Sequence, residues 1–196
     1  GAEAVEPAGF CGLERQAHEL AKALVQQNIG VQALSGKINA GQESREIVEG
    51  IVVNRIAWPK QKFLRFIRSP FDLFSVLYSE RHTYDIVHLH QFSWFGIFVI
   101  LAARLLHKPV LIKLSSIGPR SLPGIAKSRF GALQLAIFKS ADALVAMSAE
   151  NLVELEAARF PSSRVLRTPN GIRIFPTTVD AVAHSKSWDT CRVGFV

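Results

Sequence analysis

Two kinds of apolar pattern alternate along this chain, short β-rich runs and longer helical repeats, and that alternation constrains its fold more than any other feature. Leu13, Ala17, Leu20, Ala21 and Leu24 recur at helical spacing until Asn28-Ile29-Gly30 stops them. A strand is expected over 31–34 and a polar loop through Gly41, and the β-branched run 50–58 is a second strand halted by Pro59. Basic and aromatic residues mix over 60–84, with a helix expected after Pro70. The pattern then gives a strand at 85–90, a helix at 93–107 that is apolar nearly all round, and a strand at 109–114. A helix at 124–140, a strand at 143–147, a helix at 150–159 and a last strand at 164–167 follow. Short connections between such elements argue for a sheet covered by helices on both faces. The expected class is α/β: a doubly wound, mostly parallel, Rossmann-like sheet.

Composition agrees with a single globular unit. The chain has 196 residues, 48% hydrophobic and 20% charged, which excludes disorder, collagen-like repeats and coiled coil. Twenty-three Lys and Arg against sixteen Asp and Glu leave a net charge of +7, which points to an anionic partner. Cys11 and Cys191 fit no metal or disulfide spacing, as expected of a reducing compartment. The stretch 1–7 has no positive start and no apolar core, so it is no secretory signal. The uncharged window 92–103 is too short to span a bilayer, which takes about 20 residues.

Both ends read as cut. A doubly wound unit opens with an apolar strand feeding its first glycine turn, and here only 2–5 precedes the turn at 8–12. That strand would lie between those at 31–34 and 85–90. Without it the two must close up, recruit 2–5, or keep unpaired inner edges. Arg192-Val193-Gly194-Phe195-Val196 reads as the opening of a further strand.

Several motifs sit where such a fold binds ligands. Gly9-Phe10-Cys11-Gly12-Leu13-Glu14-Arg15 leads a glycine-rich turn into a helix, whose N-terminal N–H groups suit an anion or merely close a turn. It lacks the G-x-G-x-x-G spacing, so a nicotinamide or flavin cofactor is disfavoured. In Tyr84-Asp85-Ile86-Val87-His88-Leu89-His90-Gln91 the two histidines share one strand face, with His90 and Gln91 at the carboxyl end and His88 deeper, as an interior histidine. No third ligand lies near them, so no metal is expected. Ser115, Ser116 and Gly118 end the next strand, where they either bind sugar hydroxyls or phosphate or form a plain turn. Pro169-Asn170-Gly171 is a turn signal. Lys60, Lys62, Arg65 and Arg68 interleave with Phe63, Leu64, Phe66 and Ile67, either as a solvated face or as a surface for anionic lipid. No nucleic-acid motif accompanies them.

Taken in order, these segments resemble the N-terminal half of a glycosyltransferase family 4 enzyme of GT-B fold. Cys11-Gly12-Leu13-Glu14-Arg15 is similar to that family's Gly-Gly-x-Glu-Arg loop, and 85–90 to its Asp-[Ile/Val]-[Ile/Val]-His-x-His strand. Ala141-Asp142-Ala143-Leu144-Val145-Ala146-Met147-Ser148 and Pro169-Asn170-Gly171-Ile172 resemble two further segments, and 192–196 the first strand of the family's second domain. Cys11 replaces a glycine, Ser115 stands where many members have histidine, Arg173 takes the place of an aspartate, and the region from there to Trp188 fits poorly. The Lys113-Leu114 start and Gly118 look closer to some exopolysaccharide-type members.

The resemblance implies an acceptor-side domain over 1–188 and the start of a C-terminal nucleotide-sugar domain over 189–196. It implies retaining, metal-independent hexosyl transfer from a nucleotide-diphosphate sugar to a glycan or lipid-linked acceptor, with no cofactor. The family's Glu-x7-Glu motif belongs to the C-terminal domain, so this chain alone is expected to be inactive. Substrate contacts are expected from Gly12, Glu14, His90, Gln91, Ser115, Ser116, Gly118 and Asn170, and membrane contacts from Lys60, Lys62, Arg65 and Arg68. A cytoplasmic setting follows, peripheral at the inner membrane face, with no nucleic acid bound. The other readings are a non-catalytic sugar- or nucleotide-binding Rossmann module, or half of a protein like a nucleotide-sugar 2-epimerase.

Overall fold

A computed structural model describes residues 12–39, 41–91, 93–114, 121–169 and 192–195. Along the chain run α1 (Gly12–Gln26), β1 (Gly30–Lys37), β2 (Arg45–Val48), β3 (Ile51–Ala57), α2 (Lys62–Ser79), β4 (Ile86–Leu89) and α3 (Trp94–Leu105). Then come β5 (Val110–Leu114), α4 (Leu122–Ala126), α5 (Gly131–Lys139), β6 (Ala143–Ala146), α6 (Ala149–Ala157), a 3-10 turn, β7 (Val165–Arg167) and β8 (Arg192–Phe195). The strands form one 8-stranded sheet in the order β2-β3-β1-β8-β4-β5-β6-β7. Every pairing is parallel except the β2–β3 hairpin. The doubly wound, mostly parallel α/β class expected from the pattern is the class observed.

Strand alternation sorts the central residues between two faces. Register sets Val87 beside Val110, Leu89 beside Ile112, Ile112 beside Leu144 and Leu114 beside Ala146. These side chains join the main core with Leu73 and Leu77 of α2, Ile97 and Ile100 of α3, and Phe138 of α5. A smaller cluster of Ala21, Val31 and Ile51 seats α1 on β1 and β3. The α3 contact is close because residue 96 has no side chain. A Cβ there would lie 2.8 Å from Leu89 Cδ2.

Local chemistry sets the ends of several elements. Ser93 Oγ accepts from the Gly96 amide at 3.0 Å and Ser148 Oγ from the Asn151 amide at 3.3 Å, capping α3 and α6. Asn28, His107 and Arg159, with φ of 61°, 55° and 55°, turn the chain out of α1, α3 and α6 through left-handed conformations.

Four features differ from the sequence expectation. The helix expected after Pro70 begins at Lys62 and runs through the proline. Ser69 is fully buried there and its hydroxyl donates to the Ala57 carbonyl at 3.1 Å, while Phe66 packs on Phe98 of α3 at 5.8 Å. Tertiary packing outweighs the N–H that proline lacks. The single helix expected at 124–140 is two helices, because Gly131 abuts α4 so closely that a Cβ would meet the Ile125 carbonyl oxygen at 2.3 Å. Strand β2 was not expected. It pairs with β3 around Glu49 and Gly50, whose φ of 50° and 83° make the two-residue turn that suits a twisted hairpin. Finally, β1 and β4 neither close up nor keep free inner edges. β8 lies between them, parallel to both, with Val31 and Ile86 each aligned to Val193. Residues 2–5 lie outside the described residues.

Candidate functional site

The face of β4 opposite Leu89 and α3 carries Ile86 and then two histidines. His88 and His90 are buried on it, with ring centroids 4.3 Å apart and planes inclined by 25°, a stacked pair. Since Leu89 aligns with Ile112, the next residues along the two strands, His90 and Lys113, are cross-strand neighbours. Lys113 is 6% exposed, and its Nζ donates to Gln16 Oε1 at 3.1 Å. Gln16 lies one turn into α1, so this bond brings the opening of α1 against the carboxyl end of β5.

Burial makes charge unfavourable here. It pushes His88 down to about 3, helped by the charges of His90 and Lys113. It pushes His90 down to about 4, with Lys113 adding to the effect. The Lys113 ammonium is itself shifted downward by burial. At neutral pH the two imidazoles are therefore uncharged, each with one nitrogen able to donate and one able to accept a hydrogen bond.

His90 and half-buried Gln91 follow β4 at its carboxyl end. Gly12 is the first residue of α1, and Glu14 lies in that helix's first turn. Ser115, Ser116 and Gly118 come directly after β5, and Asn170 follows Pro169, but all four lie outside the described residues. The expectation did not include Lys113 and Gln16, which the structure places beside His90 and at the start of α1. One signal was available: a lysine inside the otherwise apolar β5, where a charge needs a reason. Among the described residues no group of three His, Cys, Asp or Glu is placed to hold a metal.

The basic segment takes a definite form. Lys62, Arg65 and Arg68 belong to α2 and Lys60 just precedes it. The Arg65 guanidinium lies 5.3 Å above the Trp58 ring, and Arg68 pairs with Asp72 at 3.4 Å. Phe63 and Phe71 are 77% and 73% exposed on the same helix, whereas Ser69, Leu73 and Leu77 face the core. Phe66 continues the apolar surface to Trp94 at 6.2 Å, and Trp94 to Phe130 at 6.2 Å, with Arg129 over Phe130 at 5.5 Å. Among the described residues no helix is long and apolar enough to cross a membrane.

A doubly wound sheet with buried polar groups at the carboxyl ends of adjacent strands defines the class: an α/β domain of the kind that takes its ligand at that edge. The sequence matches the model of the glycosyl transferase 4-like domain over residues 11–171, and the chain belongs to that family. No curated protein matches it.

Proposed function

We propose that this domain forms the acceptor side of a retaining, metal-independent glycosyltransferase that moves a hexosyl group from a nucleotide-diphosphate sugar to a glycan or lipid-linked acceptor. The observation that carries the reading is a buried, neutral His90 at the carboxyl end of β4 in a chain of this family. A neutral imidazole can orient an acceptor hydroxyl without ionising it, and exclusion of water strengthens that hydrogen bond. Gly12, Glu14, Gln91, Ser115, Ser116, Gly118 and Asn170 would supply the remaining substrate contacts. Stabilisation of the departing nucleotide would fall to a donor-binding domain. Turnover by a protein carrying both domains is the test. His90→Ala should lower kcat by about 10²-fold with little change in melting temperature. An unchanged kcat, or a loss fully explained by unfolding, overturns the assignment. Donor binding without any transfer would favour a non-catalytic binding module.

The exposed face of α2 supports a second part of the reading, docking on an anionic membrane at the cytoplasmic surface during polysaccharide assembly. Phe63, Ile67 and Phe71 would enter the headgroup boundary while Lys60, Lys62, Arg65 and Arg68 meet the lipid phosphates, each cation worth ~1 kcal/mol. Co-sedimentation with anionic vesicles should fall as salt rises and on changing the four cations to Ser. Equal binding to neutral vesicles counts against it.

A further inference from the structure

None of the sixteen acidic residues falls within 50–71 or 86–141. Those stretches build α2 as far as Phe71 and the whole of α3, α4 and α5, and α3 packs against both α2 and α5. Lys60, Lys62, Arg65, Arg68, Lys127 and Arg129 lie in them, so this side of the domain attracts anions.

The helices concerned all begin at one edge of the sheet. In a run of parallel strands, α2 follows the carboxyl end of β3, α3 that of β4, and the α4–α5 pair that of β5. A line of rings joins them there. Phe66 of α2 lies 6.2 Å from Trp94 of α3, and Trp94 lies 6.2 Å from Phe130 at the start of α5. Although they pack on one another, Phe66, Trp94 and Phe130 remain 54%, 46% and 50% exposed. Contiguous aromatic surface left in water marks a place where an apolar partner docks. Cations flank the rings: Arg129 lies over Phe130 at 5.5 Å, and Arg65, next to Phe66 in sequence, over Trp58 at 5.3 Å. His90 precedes Trp94 by four residues, so the line passes the carboxyl end of β4 where the candidate acceptor edge lies. The partner that matches all of this is apolar along its length and anionic at its head. A neutral glycan would use the rings and leave the surrounding charge unanswered.

We propose that the line Phe66–Trp94–Phe130 receives the hydrocarbon chain of an anionic, lipid-linked acceptor. The domain then selects its acceptor by the chain as well as by the sugar. Calling that amphiphile an acceptor rests on the glycosyl-transfer reading; the chain-binding surface does not.

Farnesyl phosphate, methyl phosphate and maltotriose, titrated below the micelle concentration, are the probes, with calorimetry for binding and thermal melts for folding. The native chain should bind farnesyl phosphate at least about tenfold more tightly than either of the others, and added salt should weaken that binding. Trp94→Gln and Phe130→Gln should each lose about tenfold for farnesyl phosphate. Their melting temperatures should hold, since both rings are half exposed, and either variant carries the test if the other fails to fold. Val153→Ser, an exposed apolar position on α6 away from the rings, should bind as the native chain does. Equal affinity for farnesyl and methyl phosphate, tighter binding of maltotriose, or unchanged farnesyl phosphate affinity in the folded Gln variants overturns the proposal. So does a loss of vesicle co-sedimentation in those variants with farnesyl phosphate binding intact, which would give the rings to the membrane. Absence of sugar transfer leaves a positive binding result standing, whereas transfer to a water-soluble glycan without farnesyl phosphate binding overturns this proposal alone.

Discussion

Two neutral histidines side by side make the stability of this domain depend on pH. His88 and His90 bind protons more weakly in the folded chain, near 3 and 4, than the ordinary value of 6.5. On acidification the unfolded chain therefore takes up protons first. The stability these residues contribute is complete above about 6.5 and is lost progressively as pH falls toward their folded values. The melting temperature should drop steeply between about pH 6.5 and 4, with a slope approaching two protons, and His88→Gln or His90→Gln should each remove about one of them. A melting temperature flat across that window would show that the pair is hydrated or already charged. The same residues show how far the sequence could be read at this scale. Strand alternation alone puts His88 and His90 on one face, whereas the nearness of Lys113 depends on which strand pairs with β4 and in what register.

Among the elements, two close packings rest on glycine, and they are not equivalent. At Gly131 an added Cβ would strike backbone, the carbonyl oxygens of Ile125 and Ala126 at 2.3 and 2.5 Å, so α5 would have to move away from α4. At Gly96 it would meet the tip of Leu89, which can rotate aside. Gly131→Ala should cost about 1–3 kcal/mol. Gly96→Ala should be close to neutral, because a gain of up to about 1 kcal/mol in helix propensity offsets the crowding. Denaturant melts compare the two directly, and equal losses would contradict this account. The division of 124–140 into α4 and α5 has the same origin. An apolar period continues across 127–130, but the corner needs two backbones in contact, which no local pattern announces.

For the whole molecule the decisive element is β8. The gap between β1 and β4 would leave two rows of inner backbone groups without partners, at about 1–3 kcal/mol for each buried group. Arg192–Phe195 pairs with both neighbours and closes that gap. A chain ending at residue 191 should therefore melt at lower temperature and associate through its open edges. Ultracentrifugation and thermal melts of the two chains decide this. An equally stable, monomeric shorter chain would mean that β1 and β4 can pair with each other.

What the sequence determined by itself is most of the succession of elements, the α/β class, the family resemblance and the shared face of His88 and His90. All of these depend on residue types a few positions apart and on the order in which such segments follow one another. Only the tertiary structure decided that β8 fills the middle of the sheet, that β2 folds back on β3, that α2 continues through Pro70, and that Lys113 reaches Gln16 across 97 positions of chain. Each of these is a pairing between distant segments. Its free energy comes from surface and hydrogen bonds that exist only once both segments are in place, so neither segment carries it alone.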